Sequence, residues 1–339
     1  MAEEQKQKRV LLIYRKMIPP IRLCGHSQME YLAQLGLVEY RAVQEMKLRR
    51  SDVEWADIVM LGRFDSWYEC RLTKCMKEAG CYLIYIIDDD LLSIPPEVSS
   101  SAYYARKEIA RYISTMIQMS DAIVSPSPDL LSQYAVNGRK AILIEEPAVD
   151  PVQFEPHPQD TTIKIGFAGS VDRTQDLEYI LRDPLIQIFA RYGQHVKMEF
   201  FGCCPSFARE VSAVCIPYSQ SYEEYRKTLN DLKWDIGLAP VPETHFHRCK
   251  HYNKYIEYAA AGTLCLCSDL QPYIRLKGVI SPDLFVPNST KAWMERLERL
   301  IDDYAYREDL RRQAVVHAQG QFGIDSVAKL FWNQLAQIQ

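Results

Sequence analysis

The chain has 339 residues, 47% of them hydrophobic and 25% charged, the balance of an ordinary globular protein of about two domains. Its net charge of −4 excludes a strongly basic nucleic-acid binder, and no apolar run reaches the ~20 residues that span a bilayer. The basic runs Lys6–Arg9 and Lys47–Arg50 read as solvated faces, with at most peripheral contact with a membrane surface.

The first segment, MAEEQKQKRVLLIY, is charged and runs directly into a strand-like stretch. It lacks the apolar core and cleavage site of a secretory leader, so the expectation is a cytoplasmic protein. The ten cysteines are scattered and form no paired CxxC frame, so reduced core thiols are expected.

In chain order, Arg9–Tyr14 predicts a first strand. A proline-rich loop follows, then a helix from about His26 to Leu35. Ala56–Leu61 reads as a second or third strand and Cys81–Ile87 as another, with helices over Ser66–Ala79 and Ala102–Met119. Asp121–Val124 and Lys140–Ile144 are further short strands. The proline-rich Glu146–Gln159 has no periodicity and reads as a linker. The pattern then restarts: strand Thr162–Ala168, helix Asp176–Tyr192, strand His195–Phe201, helix Glu223–Leu232 and strand Asp235–Ala239.

The stretch HYNKYIEYAAAGTLCLCSD, His251–Asp269, reads as a helix and a buried strand separated by Gly262, a helix-ending C′ residue. Helices over Ala292–Tyr304, Glu308–Gly320 and Asp325–Gln337 close the chain. This alternation predicts an α/β protein with doubly wound parallel sheets. The domains expected are residues 1–150, residues 151–322 and a terminal helix, 323–339, crossing back to the first domain. Two such domains imply a cleft, and ligands in these sheets bind beyond the carboxyl ends of the strands.

Three segments concentrate polar chemistry. In IKIGFAGSVDR, Gly166 and Gly169 border a strand end, and Ser170, Asp172 and Arg173 precede a helix. Glycine admits close approach of a phosphate, a helix start offers free N–H groups, and Arg173 adds a cation. The pattern is neither GxGxxG nor a P-loop, and a plain tight turn explains it equally well. In the helix after His251, Lys254 and Glu257 lie three apart, off the apolar stripe of Tyr252, Tyr255, Ile256, Ala259 and Ala260. A lysine in a first helical turn opposes the helix dipole, and a bound anion would remove that conflict. A surface ion pair is the bland alternative. The third segment, Asp88–Asp90, follows a strand, where a capped turn competes with a sugar-binding or metal role.

Taken together, GFAGS, DIGLAPV and NKYIEYAAAG resemble in order and spacing the C-terminal domain of retaining GT-B glycosyltransferases, the large family of bacterial sugar transferases including spore-protein-like members. The likeness covers about Ile163–Asp269, and the linker EPAVDPVQF is similar to that family's inter-domain segment. The resemblance implies two Rossmann-like domains facing a cleft. It implies transfer of a sugar from a nucleotide diphosphate sugar to an acceptor left unspecified, with retention and without a metal or other cofactor.

Carried over by position, it has Lys254 on the donor diphosphate, Glu257 on the ribose hydroxyls, and Gly169 and Ser170 donating near the phosphates. Arg173 is then a second cation, Asp88 or a neighbour contacts a sugar or acceptor hydroxyl, and Cys215–Tyr218 frame the base. Many members have a glutamate eight positions before the ribose glutamate; here Cys249 stands there. Sugar contacts are then sought in Glu243, Thr244 and the histidines from His245 onward. His245, His247, Cys249 and His251 recur at every second position, so an extended loop would place all four on one face as metal ligands. The resemblance, to a metal-independent family, argues against that. Gly25, His26 and Arg63 are further candidates in the first domain. A GT-B nucleotide-sugar epimerase and a non-catalytic nucleotide-sugar-binding or scaffold member stand as the alternatives.

Overall fold

Twelve strands fall into two parallel six-stranded sheets in the computed structural model, which describes residues 7–159 and 162–338. Residues 1–6, including Lys6 of the first basic run, lie outside the described residues. The first sheet comprises β1 (Lys8–Tyr14), β2 (Val38–Gln44), β3 (Ile58–Gly62), β4 (Tyr82–Ile86), β5 (Ala122–Ser125) and β6 (Lys140–Leu143). The second comprises β7 (Ile163–Ala168), β8 (Val196–Phe201), β9 (Val214–Ile216), β10 (Ile236–Ala239), β11 (Leu264–Ser268) and β12 (Phe285–Val286). The sheet orders are β2-β1-β3-β4-β5-β6 and β12-β11-β10-β7-β8-β9. Each reverses once, between β1 and β3 and between β7 and β10. These reversals are the switch points beside which open α/β sheets bind ligands.

The chain divides into two compact units. One holds the residues up to Pro147, the short segment Cys249–His251 and the chain from Ile324 onward; the other holds Ala148–Arg248 and Tyr252–Gly323. In the first, the period-2 alternation of β1 puts Leu11 and Ile13 on one face and Val10 and Leu12 on the other. Ala328, Phe331 and Leu335 of the Ile324–Leu335 helix cover the second face with Met29 and Leu32. Apolar burial of this kind contributes about 1.5–3 kcal/mol per large side chain.

Local chemistry explains where the elements differ from the sequence reading. Strand β2, VEYRAVQ, is an additional element: an edge strand alternating with charged residues carries little apolar signal. The 102–119 helix is two, Ser101–Tyr104 and Lys107–Met119, because Arg106 is extended. The 176–192 helix is also two, Thr174–Ile180 and Arg182–Tyr192; Pro184 has no N–H for the carbonyl of Ile180. The proline-rich loop after β1 contains a helical turn at Pro19–Ile21 that continues irregularly to His26. A further helix, Pro128–Tyr134, starts with Ser127 accepting from Leu130 N–H and proline in its first turn. No helix among the described residues is long and apolar enough to cross a membrane.

In the second unit, two glycines decide where a helix sits. Gly166 of β7 pairs with Gly237 of β10. A Cβ on Gly166 would lie 2.1 Å from the Trp234 ring, and one on Gly237 would lie 2.5 Å from the Tyr258 ring. The two rings meet edge to face, 6.0 Å apart. Gly166 therefore makes room for an indole inside a strand, which corrects its reading as a phosphate-approach glycine. Tyr258 belongs to the Asn253–Ala260 helix, so the bare sheet surface lets that helix pack close to the sheet. The helix stops at Gly262, in the left-handed region at φ 77°.

Candidate functional site

The Asn253–Ala260 helix is pinned over the β7/β10 switch point by one phenol. The Tyr258 hydroxyl accepts from Ala168 N–H at 2.9 Å and donates to Leu238 O at 3.2 Å, joining the carboxyl ends of both strands. That fixes the helix start, and with it Lys254 and Glu257, beside the β7 turn.

Lys254 is partly buried. Its ammonium donates to Ala168 O and lies 4.7 Å from the Phe167 ring centroid. No ion pair joins it to Glu257 or to any other carboxylate among the described residues, so the surface-ion-pair alternative does not describe this pair. Burial first, then the nearby Arg173 cation, lower the ammonium to about 8, against a smaller opposing pull from Glu257. Gly169 sits against this ammonium. A Cβ there would meet the Phe167 ring at 2.8 Å and Lys254 Nζ at 3.2 Å. Ser170 precedes the short helical turn Val171–Arg173, which leads into the Thr174–Ile180 helix.

Arg173 crosses the switch point by donating to Pro240 O, just beyond β10, at 3.2 Å. Its Nε lies 2.9 Å from Asp176 Oδ2, and His247 Nε2 approaches the same oxygen at 3.4 Å. Asp176 and His247 are thus part of the local constellation; the alternation from His245 to His251 singled out His247, whereas Asp176 was read only as the start of a helix. Glu257 Oε2 accepts from the Tyr225 hydroxyl at 2.8 Å. Tyr225 stacks on Phe201 at 5.3 Å, and burial first, then Glu257, push its phenol well up. A tyrosine in an amphipathic helix gives no sequence signal of such a role.

The structure brings Lys254, Glu257, Gly169, Ser170 and Arg173 to one end of the second sheet. Tyr218, 68% exposed after β9, lies at the same end: a Cβ on Gly202 would meet its ring at 3.1 Å and Gly169 O at 2.6 Å. Gly202 takes φ 85°, which a side chain rarely adopts, so only glycine fits that contact. Cys215, in exposed β9, is bonded to Cys204, with a Cα separation of 5.5 Å. That corrects the expectation of reduced thiols for this pair and leaves only the main chain of Cys215 to frame a base. The other eight cysteines are free, and six of them are buried.

Glu243, Thr244 and His245 are exposed just beyond β10. Thr244 Oγ1 bonds His247 Nδ1 at 2.7 Å. Residues His245–Arg248 form a helical turn, not an extended loop. His247 instead faces Asp176, Cys249 is buried in the core of the first unit, and His251 faces Glu145 at 3.2 Å. The four-ligand face inferred for an extended loop does not form.

Asp88 belongs to the first unit, after β4, and is described there. Arg63, after β3 with φ 53°, brings Nε to 2.9 Å from Asp88 Oδ1 and Nη2 to 3.6 Å from Asp89. Lys250 bonds Asp89 at 2.8 Å, and Asp90 accepts from the Tyr134 hydroxyl. Asp88 and Asp89 therefore share Arg63, Asp89 adds Lys250, and Asp90 turns to Tyr134. Burial raises the Asp88 carboxyl, and Arg63 pulls against that.

No protein-family model matches the chain, and no curated protein matches it. Solved structures do. A glycosyltransferase of Rickettsia africae superposes with a TM-score of 0.61 at 13% identity, over 98% of this chain and 100% of that one. Anabaena Alr3699/HepE in complex with UDP and glucose superposes with a TM-score of 0.60 at 8% identity, over 98% and 100%. A Listeria monocytogenes structure described as a UDP-N-acetylglucosamine 2-epimerase gives 0.57 at 10% identity, over 98% of each chain. These likenesses identify the architecture: the chain has the GT-B fold, with two Rossmann-like α/β domains.

Proposed function

We propose that the chain is a glycosyltransferase that moves a sugar from a nucleotide diphosphate sugar to an acceptor, with retention and without a metal. The observation that carries this is Lys254. It is a partly buried cation with no carboxylate partner among the described residues, placed beside Arg173 at a helix start and a switch point. Two cations and a helix N-terminus favour an anion there. The resemblance over Ile163–Asp269 supplies its identity as a diphosphate. Solved structures sharing the fold add support, since one is a complex with UDP and glucose and another is a glycosyltransferase.

In this reading Glu257 receives the ribose hydroxyls and Ser170 donates its main-chain N–H to the phosphates; the expected Gly169 donor is corrected, because Gly169 N–H is bonded to Phe201 O at 2.9 Å, and Gly169 contributes only close approach of the backbone. The main chain of Cys215–Tyr218 borders the base. Glu243, Thr244 and His245 are candidates for the donor sugar, and Asp88 is the candidate of the first unit for a sugar or acceptor hydroxyl. The leaving diphosphate takes the acceptor proton on the same face as the departing bond, and Lys254 and Arg173 stabilise its growing charge. This route needs no pair of carboxylates across the anomeric carbon of the glycosidase kind.

The test is a calorimetric screen of nucleoside diphosphates and nucleotide sugars, followed by product analysis with and without acceptors, in chelator. Binding with transfer that survives chelation supports the proposal. Conversion of the sugar without an acceptor assigns the epimerase, the activity named for one structure of the same fold. Binding without sugar release or transfer across a broad acceptor panel assigns a non-catalytic member. Loss of transfer in chelator, restored by a divalent ion, overturns metal independence.

A further inference from the structure

The bond between Cys204 and Cys215 joins two surface positions that follow one another in space but not in sequence. Cys204 lies in the loop after β8, and Cys215 lies in the three-residue edge strand β9, eleven positions further on. Both residues are exposed, so a small thiol can reach the sulfurs. Among the described residues, strand β9 pairs only with β8, through Glu199–Val214, Phe200–Cys215 and Phe201–Ile216. A short edge strand held from one side depends on whatever else fastens it.

The backbone that flanks the two half-cystines, before Cys204 and after Cys215, borders the candidate site. Gly202 N–H donates to Ile216 O at 2.9 Å, and Gly169 N–H donates to Phe201 O at 2.9 Å. Gly202, lacking a Cβ, leaves room for Gly169 O and the Tyr218 ring, as described above. The cross-link therefore clamps the loop after β8 to the strand leading to Tyr218, and both border Gly169.

We propose that Cys204 and Cys215 form a reversible thiol–disulfide site whose closure fixes the backbone around Gly202. Its co-reactant is a small thiol of the glutathione class. The thiolate attacks one sulfur of the bond, forms a mixed disulfide with that cysteine and releases the other as a thiolate. A second small thiol then attacks the mixed disulfide. The products are two protein thiols and one small-molecule disulfide, and the reverse sequence restores the bond. Exposed cross-links of this kind are the exchangeable ones, whereas buried structural cross-links resist reduction. The neighbouring Cys203 is unsuited to this chemistry: it is buried, and burial pushes its thiol up to about 11. A consequence for ligand binding rests on the function proposed above: opening the bond loosens the wall beside Gly169 and Tyr218 and weakens nucleoside diphosphate binding about threefold or more.

The experiment equilibrates the full chain in reduced and oxidised glutathione. Alkylation with mass analysis reads the thiols, and hydrogen exchange reads residues 202–218. The expected result is reversible cycling of Cys204 and Cys215 in the folded protein, with Cys203 unlabelled and faster exchange over 202–218 when the bond is open. Cys204→Ser/Cys215→Ser should match the reduced form. A bond that opens only when the protein unfolds, thiols that stay free in oxidised glutathione, or exchange that is equal in both forms overturns the proposal. UDP titration of both forms separates the two readings. If the thiols cycle and exchange changes but UDP binds neither form, the nucleotide reading falls and the thiol site stands.

Discussion

The Tyr225 hydroxyl donates to Glu257 Oε2 at 2.8 Å and fixes the orientation of the carboxylate. Hydrogen bonds from ribose hydroxyls to a charged acceptor contribute ~1.5–3 kcal/mol each. Glu257→Ala should therefore weaken UDP binding about tenfold or more. Tyr225→Phe keeps the ring stack on Phe201 and loses only the orienting bond, so about twofold to tenfold is expected. Calorimetry beside melting temperatures checks both, and affinities equal to the parent's would assign Glu257 a structural role.

Lys254 should make nucleotide binding pH-dependent. Its ammonium titrates at about 8, so UDP affinity in the parent should fall as pH rises through that value. Lys254→Met should lower turnover more than affinity, because charge on the diphosphate grows in the transition state. The stability effect has the opposite sense. The unfolded lysine holds its proton to about 10.4, so the folded state bears a charging penalty below pH 8 that vanishes above 10.4. Lys254→Met should therefore match or exceed the parent's melting temperature at pH 7. A variant that binds normally and melts earlier would contradict both expectations.

Glycine substitutions should separate fold from site. Gly166→Ala puts a methyl into the Trp234 ring, and overpacking of that kind costs about 1–3 kcal/mol or more. Gly169→Ala instead crowds Phe167 and the Lys254 ammonium. The first should lower the melting temperature, and the second should reduce UDP binding with a smaller thermal change. Equal thermal losses would show that Gly169 serves packing alone.

Glu45 offers a stability test away from the second unit. It shares one guanidinium, Arg15, with Asp65 and Glu69 at the carboxyl end of the first sheet. Glu45 Oε2 and Glu69 Oε1 are buried with no hydrogen-bond partner among the described residues. Burial first, then Glu69, raise the Glu45 carboxyl to about 7. The folded state therefore binds the extra proton between the unfolded value of about 4.3 and 7. Its stabilising contribution is complete below 4.3 and is lost as pH rises to 7. Glu45→Gln should remove that slope, read as the difference between parent and variant melting temperatures from pH 4.5 to 8. A constant difference across the range would show that Glu45 is ionised throughout.

Arg63→Ala should destabilise the first unit by about 3–5 kcal/mol, because it leaves the 12%-exposed Asp88 side chain without its cation. Asp88→Asn in the same chain removes the stranded charge and should recover part of the loss. Denaturant melts of the two single variants and the double variant measure the coupling, and additive losses would show that the pair does not interact.

Strand and helix order was legible because it rests on periodicity: Arg9–Tyr14, Tyr82–Ile86 and the Asn253–Ala260 stripe each bury a face whose spacing is written along the chain. Strand β2 was not legible, since an edge strand faces water and carries charge. The irregular helix starts followed Arg106 and Pro184, single residues that leave the longer pattern intact. The Lys254–Glu257 spacing, the Gly169 turn and the D-I-G-L-A-P strand were local enough to read as one motif. The partners of those residues were not, because Tyr225, thirty-two positions before Glu257, and the Cys204–Cys215 pair lie far from them along the chain.

The sequence by itself therefore determined the α/β alternation and the residue types at the turn after β7, through local spacing and backbone preference. The tertiary structure decided which glycines make room for rings, which carboxylate receives a phenol, which lysine turns to a main-chain carbonyl, and which two of ten cysteines meet. The physical reason is that periodicity reports which face of an element is buried, whereas a hydrogen bond, a charge partner or a sulfur pair is fixed by distances that close only when separate elements pack.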